Sequence, residues 1–521
     1  MEVKRPLRHG RKRQQTVALA ALLLFSTFTD AQYSCADISD QQGPTGYFDF
    51  SAIPVNDRIY LSGGNTETAN MWMLDLSNGL NAQCPIWTTP GNVQYNNVSI
   101  QPYSDGVAFG TADGTIFVQA GDGGTEQMDD VVLYNTTSET WSAAPLNLSG
   151  QLPSFRAEMT ATLNKTTGIA WFYGGRATKD IQQSGQELYY NDFYSFDTST
   201  FNWNWPKVQY AWGQRPARYG HTANLLQGQI FILGGKTAVM NATDDDSWII
   251  YPADFASVLV FDTLKKKAVT MATIGDTPEG TLGFSAVAAP DGRSIVVFGG
   301  HTPNFTAFHS DVYLLDTCTL TWSQPSITGN IPQPRAGHQA AVYGNYMIAM
   351  LGYSGYDLEN GYTFVDDVAI LDMDSWQWVD SIAPQESSSD IYQDPGCRFA
   401  MPHMPDNSSD GGDDGLPYDP TVVSNPNRND DHVTKAIGIS LGVAGFLLCL
   451  GVALFFIRRH RKNARMPSPR WVPKRFARFT KGNSTASKDS GFDGFSMDDC
   501  SSKRTSASKK SILSSFFSRK E

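Results

Sequence analysis

The sequence predicts an all-β fold made of six similar modules, and three observations lead to this prediction. Short runs of β-branched and aromatic residues recur along the chain and end at glycine, which is typical of strands followed by turns. Successive runs are 53 to 65 residues apart, a period typical of propellers and other repeat arrays. In four copies an Asp and a Trp stand 11 residues apart, which indicates the same strand pair at the same phase.

The glycines that end these runs mark the six modules. The first run extends from Ile59 to Gly64, and the fourth, from Ile230 to Gly235, has the same pattern. We expect these glycines to close the second strand of each module. They are Gly63, Gly64, Gly121, Gly174, Gly175, Gly234, Gly235, Gly299, Gly300 and Gly352.

The second half of each module is predicted to be a β-hairpin that ends at tryptophan. From Asp130 to Trp141, for example, an apolar run leads through an Asn-Thr-Thr turn into a second run. We expect each Trp to fill the gap between neighbouring sheets. The fourth module lacks this Trp, and the first has it late, after an insertion. The tryptophans are Trp87, Trp141, Trp203, Trp322 and Trp378.

These residues resemble the kelch repeat, in which a hydrophobic run into Gly-Gly is followed by an acid-led strand and a Trp. The resemblance covers about residues 46–383. It implies four-stranded blades arranged around a central channel, and therefore a six-bladed kelch β-propeller. Residues 46–52 would supply the innermost strand of the first blade, and residues 376–383 the outermost strand of the last.

Two histidines occur in a motif that the kelch resemblance places at the start of the innermost strand. The motif reads Arg218-Tyr-Gly-His221 in one module and Arg335-Ala-Gly-His338 in another. Because both histidines have the same phase in the repeat, we interpret them as scaffold residues that form hydrogen bonds. The alternative is a role as metal ligands or bases.

Two apolar segments predict a single-pass type I membrane protein, of the kelch form found in fungi. A basic stretch, a 12-residue apolar run and a small-residue cleavage site predict a signal peptide over residues 1–31. Residues 436–457 are 22 uncharged residues, enough to cross a bilayer. The basic cluster that follows places residues 458–521 in the cytosol. Residues 32–383 would then face outward at the plasma membrane or a secretory-pathway membrane.

Charge divides the chain in the same way. Residues 32–432 hold 16 Lys and Arg against 45 Asp and Glu, which argues against nucleic acid as a partner because phosphate would be repelled. Within this stretch, the acidic segment 384–434 is predicted to be a disordered stalk. Residues 458–521 hold 17 basic and 5 acidic residues. We expect this Ser-rich tail to contact anionic lipid or cytosolic partners.

Cysteines and sequons agree with an outward-facing domain. Two disulfides are expected from Cys35, Cys84, Cys318 and Cys397. Of the three connectivities, adjacency in the propeller favours Cys35–Cys84 with Cys318–Cys397, whereas Cys35–Cys397 would join the two ends of the ring. Predicted glycosylation sites in N-x-S/T sequons are Asn97, Asn135, Asn147, Asn164, Asn241, Asn304 and Asn407.

The predicted function is binding, because propellers present loops from every blade on a rigid ring. The longest excursions, residues 176–191, 236–256 and 353–366, are rich in Tyr, Trp, Asp and Asn. Such residues suit protein or glycan ligands, and Trp248 and Tyr251 are candidate anchors. The sequence assigns no binding, catalytic or metal-ligating residue with certainty, and it predicts no cofactor.

Two alternatives stay open. Some secreted fungal sugar oxidases carry kelch propellers, which would imply a galactose-oxidase-like copper radical oxidase. That chemistry needs two His, two Tyr and a Cys, whereas His301 and His309 are the only clustered pair outside the repeated motif. The other alternative is a polarity or trafficking receptor whose tail recruits cytosolic partners.

Overall fold

A computed structural model describes the part of the chain that contains the predicted modules. The described residues are 43–65, 71–91, 93–96, 98–123, 131–146, 152–177, 187–211, 216–241, 247–384 and 398–402. They form β-strands, turns and connecting segments, and no helix occurs among them. The prediction of an all-β domain is therefore confirmed for this part of the chain.

Within the described residues, six sheets are built on the same four-stranded antiparallel plan. Sheet 1 contains β1 (Phe50–Val55), β2 (Arg58–Gly63), β3 (Trp72–Asp75) and β5 (Trp87–Thr88). Sheet 2 contains β7 (Val107–Gly110), β8 (Thr115–Gln119), β9 (Val132–Asn135) and β10 (Thr140–Ala143). Sheet 3 contains β11 (Thr160–Asn164), β12 (Ile169–Tyr173), β15 (Phe193–Asp197) and β16 (Asn202–Asn204).

Sheets 4 to 6 repeat the plan. Sheet 4 contains β19 (Thr222–Leu226), β20 (Gln229–Leu233), β23 (Ser257–Asp262) and β24 (Lys267–Ala272). Sheet 5 contains β26 (Ser285–Ala288), β27 (Ser294–Phe298), β28 (Val312–Asp316) and β29 (Thr321–Ser323). Sheet 6 contains β31 (Gln339–Tyr343), β32 (Tyr346–Met350), β35 (Val368–Asp372) and β36 (Gln377–Val379).

Four sheets gain a short fifth strand that runs parallel to their last strand. Each comes from the segment that leads into that sheet, and it pairs the outer edge, which would otherwise stay open. These strands are β6 (Gln94–Asn96) in sheet 2, β17 (Gln209–Ala211) in sheet 4, β25 (Ile274–Gly275) in sheet 5 and β30 (Thr328–Gly329) in sheet 6.

The long excursions that the sequence suggests as recognition loops contain strands of their own. β13 (Arg176–Ala177) pairs with β14 (Leu188–Tyr189), and β33 (Tyr353–Asp357) pairs with β34 (Gly361–Phe364). The largest addition has the strand order β18 (Ala217–Tyr219), β21 (Lys236–Met240), β22 (Trp248–Pro252). In each addition one strand, β13, β33 or β21, begins directly after the glycines that end a second strand, whereas β18 precedes the innermost strand β19.

The six sheets form a closed cycle. The innermost strands β1, β7, β11, β19, β26 and β31 each contact the next one in this order, and β31 contacts β1. Hydrophobic clusters lie between consecutive sheets, and one of them packs Ile348 and Ile370 of sheet 6 against Ile59 and Leu61 of sheet 1. The hydrophobic core is therefore divided among the gaps between sheets.

The repeated tryptophans lie on the last strands, facing these gaps. Trp87, Trp141, Trp322 and Trp378 are buried in sheets 1, 2, 5 and 6, and Trp203 is partly buried in sheet 3. Trp322 shows the contact between sheets, because its indole Nε1 donates to the carbonyl oxygen of Phe255, which precedes β23 of sheet 4, at 3.0 Å.

A two-residue strand joins the last sheet to the first. β37 (Ser381–Ile382) leaves sheet 6 and pairs with β4 (Leu80–Asn81), which lies in the insertion of the first module. The backbone N–H of Ala82 also donates to Asp380 O at 2.8 Å. Of residues 376–383, which we expect to form one outer strand, only Gln377–Val379 belong to sheet 6. Residues 381–382 instead form a separate two-stranded sheet with β4 of the first module.

The predicted membrane topology concerns segments that the structure does not describe. The signal peptide (1–31), the membrane span (436–457) and the tail (458–521) lie outside the described residues, as does most of the stalk (384–434). Among the residues that are described, no helix is long and apolar enough to cross a bilayer.

Candidate binding site at the mouth of the ring

Six residues at equivalent positions surround one end of the ring, just before each innermost strand. They are Asp49, Asp105, Glu158, Gly220, Gly283 and Gly337, and all have positive φ, between 53° and 65°. Among the described residues, five backbone hydrogen bonds of 2.8–3.2 Å join neighbours of this set, including Asp49 N–H to Gly337 O across the junction of sheets 6 and 1. The set is thus a hydrogen-bonded ring.

A second set of six residues lies beside the first. Each is the residue directly after the glycines of its module, and its backbone pairs with the residue that precedes the ring position. We call the two sets together the mouth. The second set is Asn65, Asp122, Arg176, Lys236, His301 and Tyr353.

The residue type at the ring positions changes between sheets 3 and 4. Sheets 4 to 6 place glycine at the left-handed position, which glycine adopts without steric cost. Sheets 1 to 3 place Asp49, Asp105 and Glu158 there, at φ of 57°, 56° and 53°. A non-glycine residue in this region costs of the order of 1 kcal/mol or more, and such strain is concentrated at functional sites. Three acids thus adopt a backbone conformation that sheets 4 to 6 give to glycine.

The acids are close enough to influence each other. Burial raises the pKa of Asp49 to about 7, with a further contribution from the charge of Glu158, while Lys236 and Arg176 oppose the rise. Burial, with the charges of Asp49 and Glu158, also raises the pKa of Asp105 well above its usual value. The fold therefore disfavours the charged forms of these two carboxyls.

Arg176 is the main internal counter-charge. Its guanidinium forms an ion pair with Glu158 and a second with Asp122 at 3.1 Å. Burial lowers the pKa of Arg176, but the charges of Glu158 and Asp122 outweigh it, so the pKa lies above its usual value. Asp49 and Asp105 have no such ion pair among the described residues, so they keep the capacity to bind a cation.

The mouth also contains a cluster of aromatic side chains, which we call the aromatic wall. Phe48, Tyr353 and Tyr362 pack with ring centroids 4.6–5.3 Å apart. The wall continues through Tyr356, 4.9 Å from Tyr362, to Phe305, 5.2 Å from Tyr356. Asp49 and Asp105 raise the pKa of both Tyr353 and Tyr362, although burial is the larger cause. The acidic and aromatic halves therefore face a common space.

The two motif histidines hold neighbouring sheets together. His221 Nε2 lies 2.9 Å from Thr160 Oγ1 of sheet 3, and His338 Nε2 lies 2.8 Å from Ser285 Oγ of sheet 5. Both rings are buried, and burial lowers both pKa values, that of His221 to about 3. These contacts match the scaffold interpretation and keep the imidazoles neutral.

His301 and His309 do not assemble into a metal centre with other described side chains. His301 stacks on Phe305 at 4.1 Å between centroids, and its Nδ1 lies 2.7 Å from Thr302 O. His309 Nδ1 lies 3.9 Å from Asp311. Among the residues that the structure describes, no three His, Cys, Asp or Glu side chains are placed to hold a metal ion.

The candidate anchors and modification sites are distributed over the surface. Tyr251 is 45% exposed on β22, and Trp248 donates to Glu187 O at 3.1 Å.

Cys84 and Cys318 are each disulfide-bonded. Their predicted partners, Cys35 and Cys397, and three sequon asparagines, Asn97, Asn147 and Asn407, lie outside the described residues. The four described sequon asparagines, Asn135, Asn164, Asn241 and Asn304, are partly or fully exposed.

Sequence analysis did not single out the mouth, although the sequence contains a signal for it. Each residue of the two sets that form the mouth either follows the glycines of a module or immediately precedes the innermost hairpin. Aligning the six modules on their glycines would have placed an acid, a cation and an aromatic residue at these two phases. The search for motifs instead selected residues that are identical between modules, and those are the scaffold.

Comparison with known proteins agrees with this description. A family model for the KLHDC2/KLHL20/DRC7 Kelch-repeats domain matches residues 10–235 and 249–397. Acyl-CoA-binding domain-containing protein 5 of Arabidopsis thaliana is 26% identical over 303 residues, which are 55% of this chain and 41% of that protein. Host cell factor of Drosophila melanogaster is 25% identical over 281 residues, 50% of this chain and 18% of that protein.

Two further matches are shorter or more distant in sequence. Kelch domain-containing protein 3 of Rattus norvegicus is 28% identical over 217 residues, 40% of this chain and 52% of that protein. The chain thus spans about half or less of the length of these relatives. A solved structure titled "Structure of YjhT" aligns with a TM-score of 0.46 and 15% identity, covering 65% of this chain and 98% of that one.

The cycle of sheets and the repeated glycine, tryptophan and histidine contacts define a β-propeller built from kelch repeats. Because the family model covers most of the chain, the protein belongs to the KLHDC2/KLHL20/DRC7 Kelch-repeats domain family.

Proposed function

We propose that this protein is a binding platform whose six sheets are the blades of a closed kelch propeller and whose mouth holds a protein partner. The carrying observation is that strained, buried acids lie on one side of the mouth and a wall of stacked aromatic rings lies on the other. Aromatic residues give large contact areas at low entropic cost. Unpaired charge gives specificity and steers association.

A protein partner is favoured by the family. Its members are typically protein-interaction modules without enzymatic activity. The chemistry of the mouth fits a partner with a basic segment, because a cation between Asp49 and Asp105 would stabilise the charged forms of both carboxyls, which burial and, to a smaller extent, neighbouring acids disfavour. Nothing in the mouth favours the copper oxidase alternative.

We further propose that the propeller is the outward-facing part of a type I membrane glycoprotein. Three features support this: the disulfide bonds of Cys84 and Cys318, which persist in oxidising compartments, the surface positions of four sequon asparagines, and the uncharged segment 436–457. The tail 458–521 would then contact lipid or cytosolic partners, as a trafficking or polarity receptor requires. Cys35–Cys84 and Cys318–Cys397 are the proposed pairs.

Partner capture by mouth variants tests the binding proposal. The full-length chain, its Asp49→Asn/Asp105→Asn double variant and its Tyr362→Ala variant would be used to capture proteins from the source cells, with quantification by mass spectrometry. Asp374→Asn is the matched control, since Asp374 follows β35 at the end of sheet 6 away from the mouth. We expect a common set of proteins with wild type and control that both mouth variants lose.

The result decides between the mouth and other surfaces. Equal capture by all four proteins would contradict a binding role for the mouth. For the topology, a C-terminal epitope should be digested by protease added to the cytosolic side of sealed vesicles, while N-glycosidase should reduce the mass of the protected fragment. A protected epitope, or an unchanged mass, would exclude the glycoprotein proposal.

A further inference from the structure

Strand β22 presents an unusual apolar surface. Its sequence, Trp248-Ile-Ile-Tyr-Pro252, contains no charge over five residues. Ile249 is 53% exposed, Ile250 43% and Tyr251 45%. Because one strand sends alternate side chains to opposite faces, apolar groups on both sides of β22 meet solvent. A strand with only one buried face would carry polar residues on its other face, and β22 does not.

β22 is also the edge of its small sheet. The order is β18, β21, β22, and no other strand among the described residues pairs with β22. Backbone hydrogen bonds from Asn241 N to Ser247 O and from Ala253 N to Gly235 O fix the alternation of the ladder. In an antiparallel ladder every second residue pair is not hydrogen-bonded. The N–H and C=O groups of Trp248 and Ile250 therefore point away from β21.

Apart from Pro252, the edge lacks the features that normally prevent pairing. Natural sheets protect exposed edges with lysines, bulges, inward-pointing charges or prolines. The pairing of β21 with β22 is regular over five residues without a bulge. Only Pro252, at the end of the strand, removes a donor. An exposed, regular and apolar edge is what an added strand requires, with backbone groups supplying affinity and alternate side chains supplying specificity.

Charges at the two ends of the edge indicate what the added strand carries. Glu187 lies at the Trp248 end, where its carbonyl accepts the indole N–H, and its side chain accepts from Tyr189. Asp254 lies just past Pro252 and is exposed. A second copy of β22, paired antiparallel about Ile250, would bring Glu187 of one copy near Asp254 of the other. This like-charge contact disfavours a self-pair and favours a strand with basic ends.

We propose that the β22 edge binds an extended segment of another protein by strand addition, and that this segment is apolar in its middle and basic at both ends. The site is separate from the mouth, so it can hold even if the mouth binds nothing. Trp248, packed on Tyr189 at 5.0 Å between centroids, holds the edge in place at its first residue.

The test uses the full-length chain and a fluorescein-labelled peptide, Lys-Val-Thr-Val-Thr-Val-Lys, in fluorescence anisotropy titrations. We expect saturable binding, and at least about tenfold weaker binding for the same peptide with N-methyl groups on alternate residues, which removes backbone donors. A Glu-flanked peptide of the same core should also bind at least about tenfold more weakly. Failure to bind, or equal binding of the three peptides, would overturn the proposal.

Two variants of one residue separate backbone from side-chain effects. Ile250→Pro removes the outward N–H without disturbing a bond to β21, and proline is tolerated at such edge positions. Ile250→Thr removes apolar surface but keeps the donor. We expect a loss of about tenfold or more for Ile250→Pro and about threefold or less for Ile250→Thr. A larger loss of binding for Ile250→Thr than for Ile250→Pro would show that the peptide contacts an apolar patch without adding a strand.

Self-association is the competing outcome. A dimer that forms with rising concentration in light scattering, and that Ile250→Pro abolishes, would assign the edge to a second copy and overturn the proposal. If Ile250→Pro lowers the melting temperature strongly, the comparison of N-methylated and unmodified peptide on the wild-type chain decides the question.

Discussion

Arg156 and Asp192 form a buried, two-pronged ion pair within sheet 3. Nη1 lies 2.6 Å from Oδ1, Nη2 lies 3.2 Å from Oδ2, and the side chains are 2% and 8% exposed. Arg335 and Asp367 repeat the pair in sheet 6 at 2.7 Å. In each case the acid that begins the third strand holds the arginine that precedes the innermost strand. The acid of the kelch pattern is therefore part of the scaffold.

Asp192→Ala should destabilise the fold by about 3–5 kcal/mol, because it leaves the guanidinium of Arg156 buried without its partner. The double variant Arg156→Met/Asp192→Leu should lose much less, since it removes both charges. The free energy of unfolding from urea titrations measures both. Arg58→Ala is the control, because the Arg58–Asp75 pair is exposed (46% and 30%) and is expected to contribute only about 0–1 kcal/mol. Similar losses for Asp192→Ala and Arg58→Ala would contradict this prediction.

Gly79→Ala should weaken the junction between the last and first sheets. Gly79 has φ of 83°, and a Cβ there would collide with the carbonyl oxygen of Ile382 in β37. Gly361, with φ of 77° and open space around its Cβ position, is the matched control. Alanine should cost about 1–2 kcal/mol at Gly361 from backbone strain alone, and clearly more at Gly79. Thermal denaturation of the two variants measures both losses of stability. Equal losses would mean that β37 moves aside without a further cost in stability.

Stability should fall on acidification because of His221. Its pKa is lowered to about 3 by burial and by the charge of Arg218, whereas the unfolded chain binds the proton near pH 6.5. Between these values the unfolded state holds more protons, so this group makes stability decrease as pH falls, by up to about 1.4 kcal/mol per pH unit. His221→Gln should show a shallower decline in urea titrations at several pH values. Parallel curves for the two proteins would show that His221 is protonated without unfolding.

Asp49→Asn should stabilise the fold at neutral and higher pH. The pKa of Asp49 is raised to about 7, so the carboxyl favours folding when it is protonated and opposes folding as pH rises from about 4 through 7. The variant should therefore melt above the wild type at pH 8, with the difference shrinking at pH 4. A melting temperature below that of the wild type at pH 8 would show that Asp49 is a structural rather than a strained residue.

The sequence predicts much of the scaffold because the scaffold is repeated. Glycines such as Gly234, tryptophans such as Trp322 and histidines such as His338 recur at a fixed phase, since each packs against an equivalent neighbour. The fifth strands and the β37–β4 pair were not predicted. Strands of two or three residues carry no periodic signal, and the partners of β37 lie some three hundred positions away in the chain.

The mouth could not be found by searching for identical residues. Its positions differ from module to module, from Asp49 to Gly337 in one set and from Arg176 to Tyr353 in the other, and under the proposed function a ligand would contact each module differently. His301 shows the converse case. Its spacing from His309 suggests a pair of ligands, but its ring stacks on Phe305 and its nitrogen contacts Thr302.

The pairing of β37 with β4 also sets an order of assembly. During synthesis, sheet 1 emerges from the ribosome early, yet its insertion finds a partner only when residues 381–382 have been translated. Until then the last and first sheets are not joined by this pair, and the ring has two open faces. Such an incomplete ring exposes apolar surface and strand edges, which makes it prone to join another copy while translation continues.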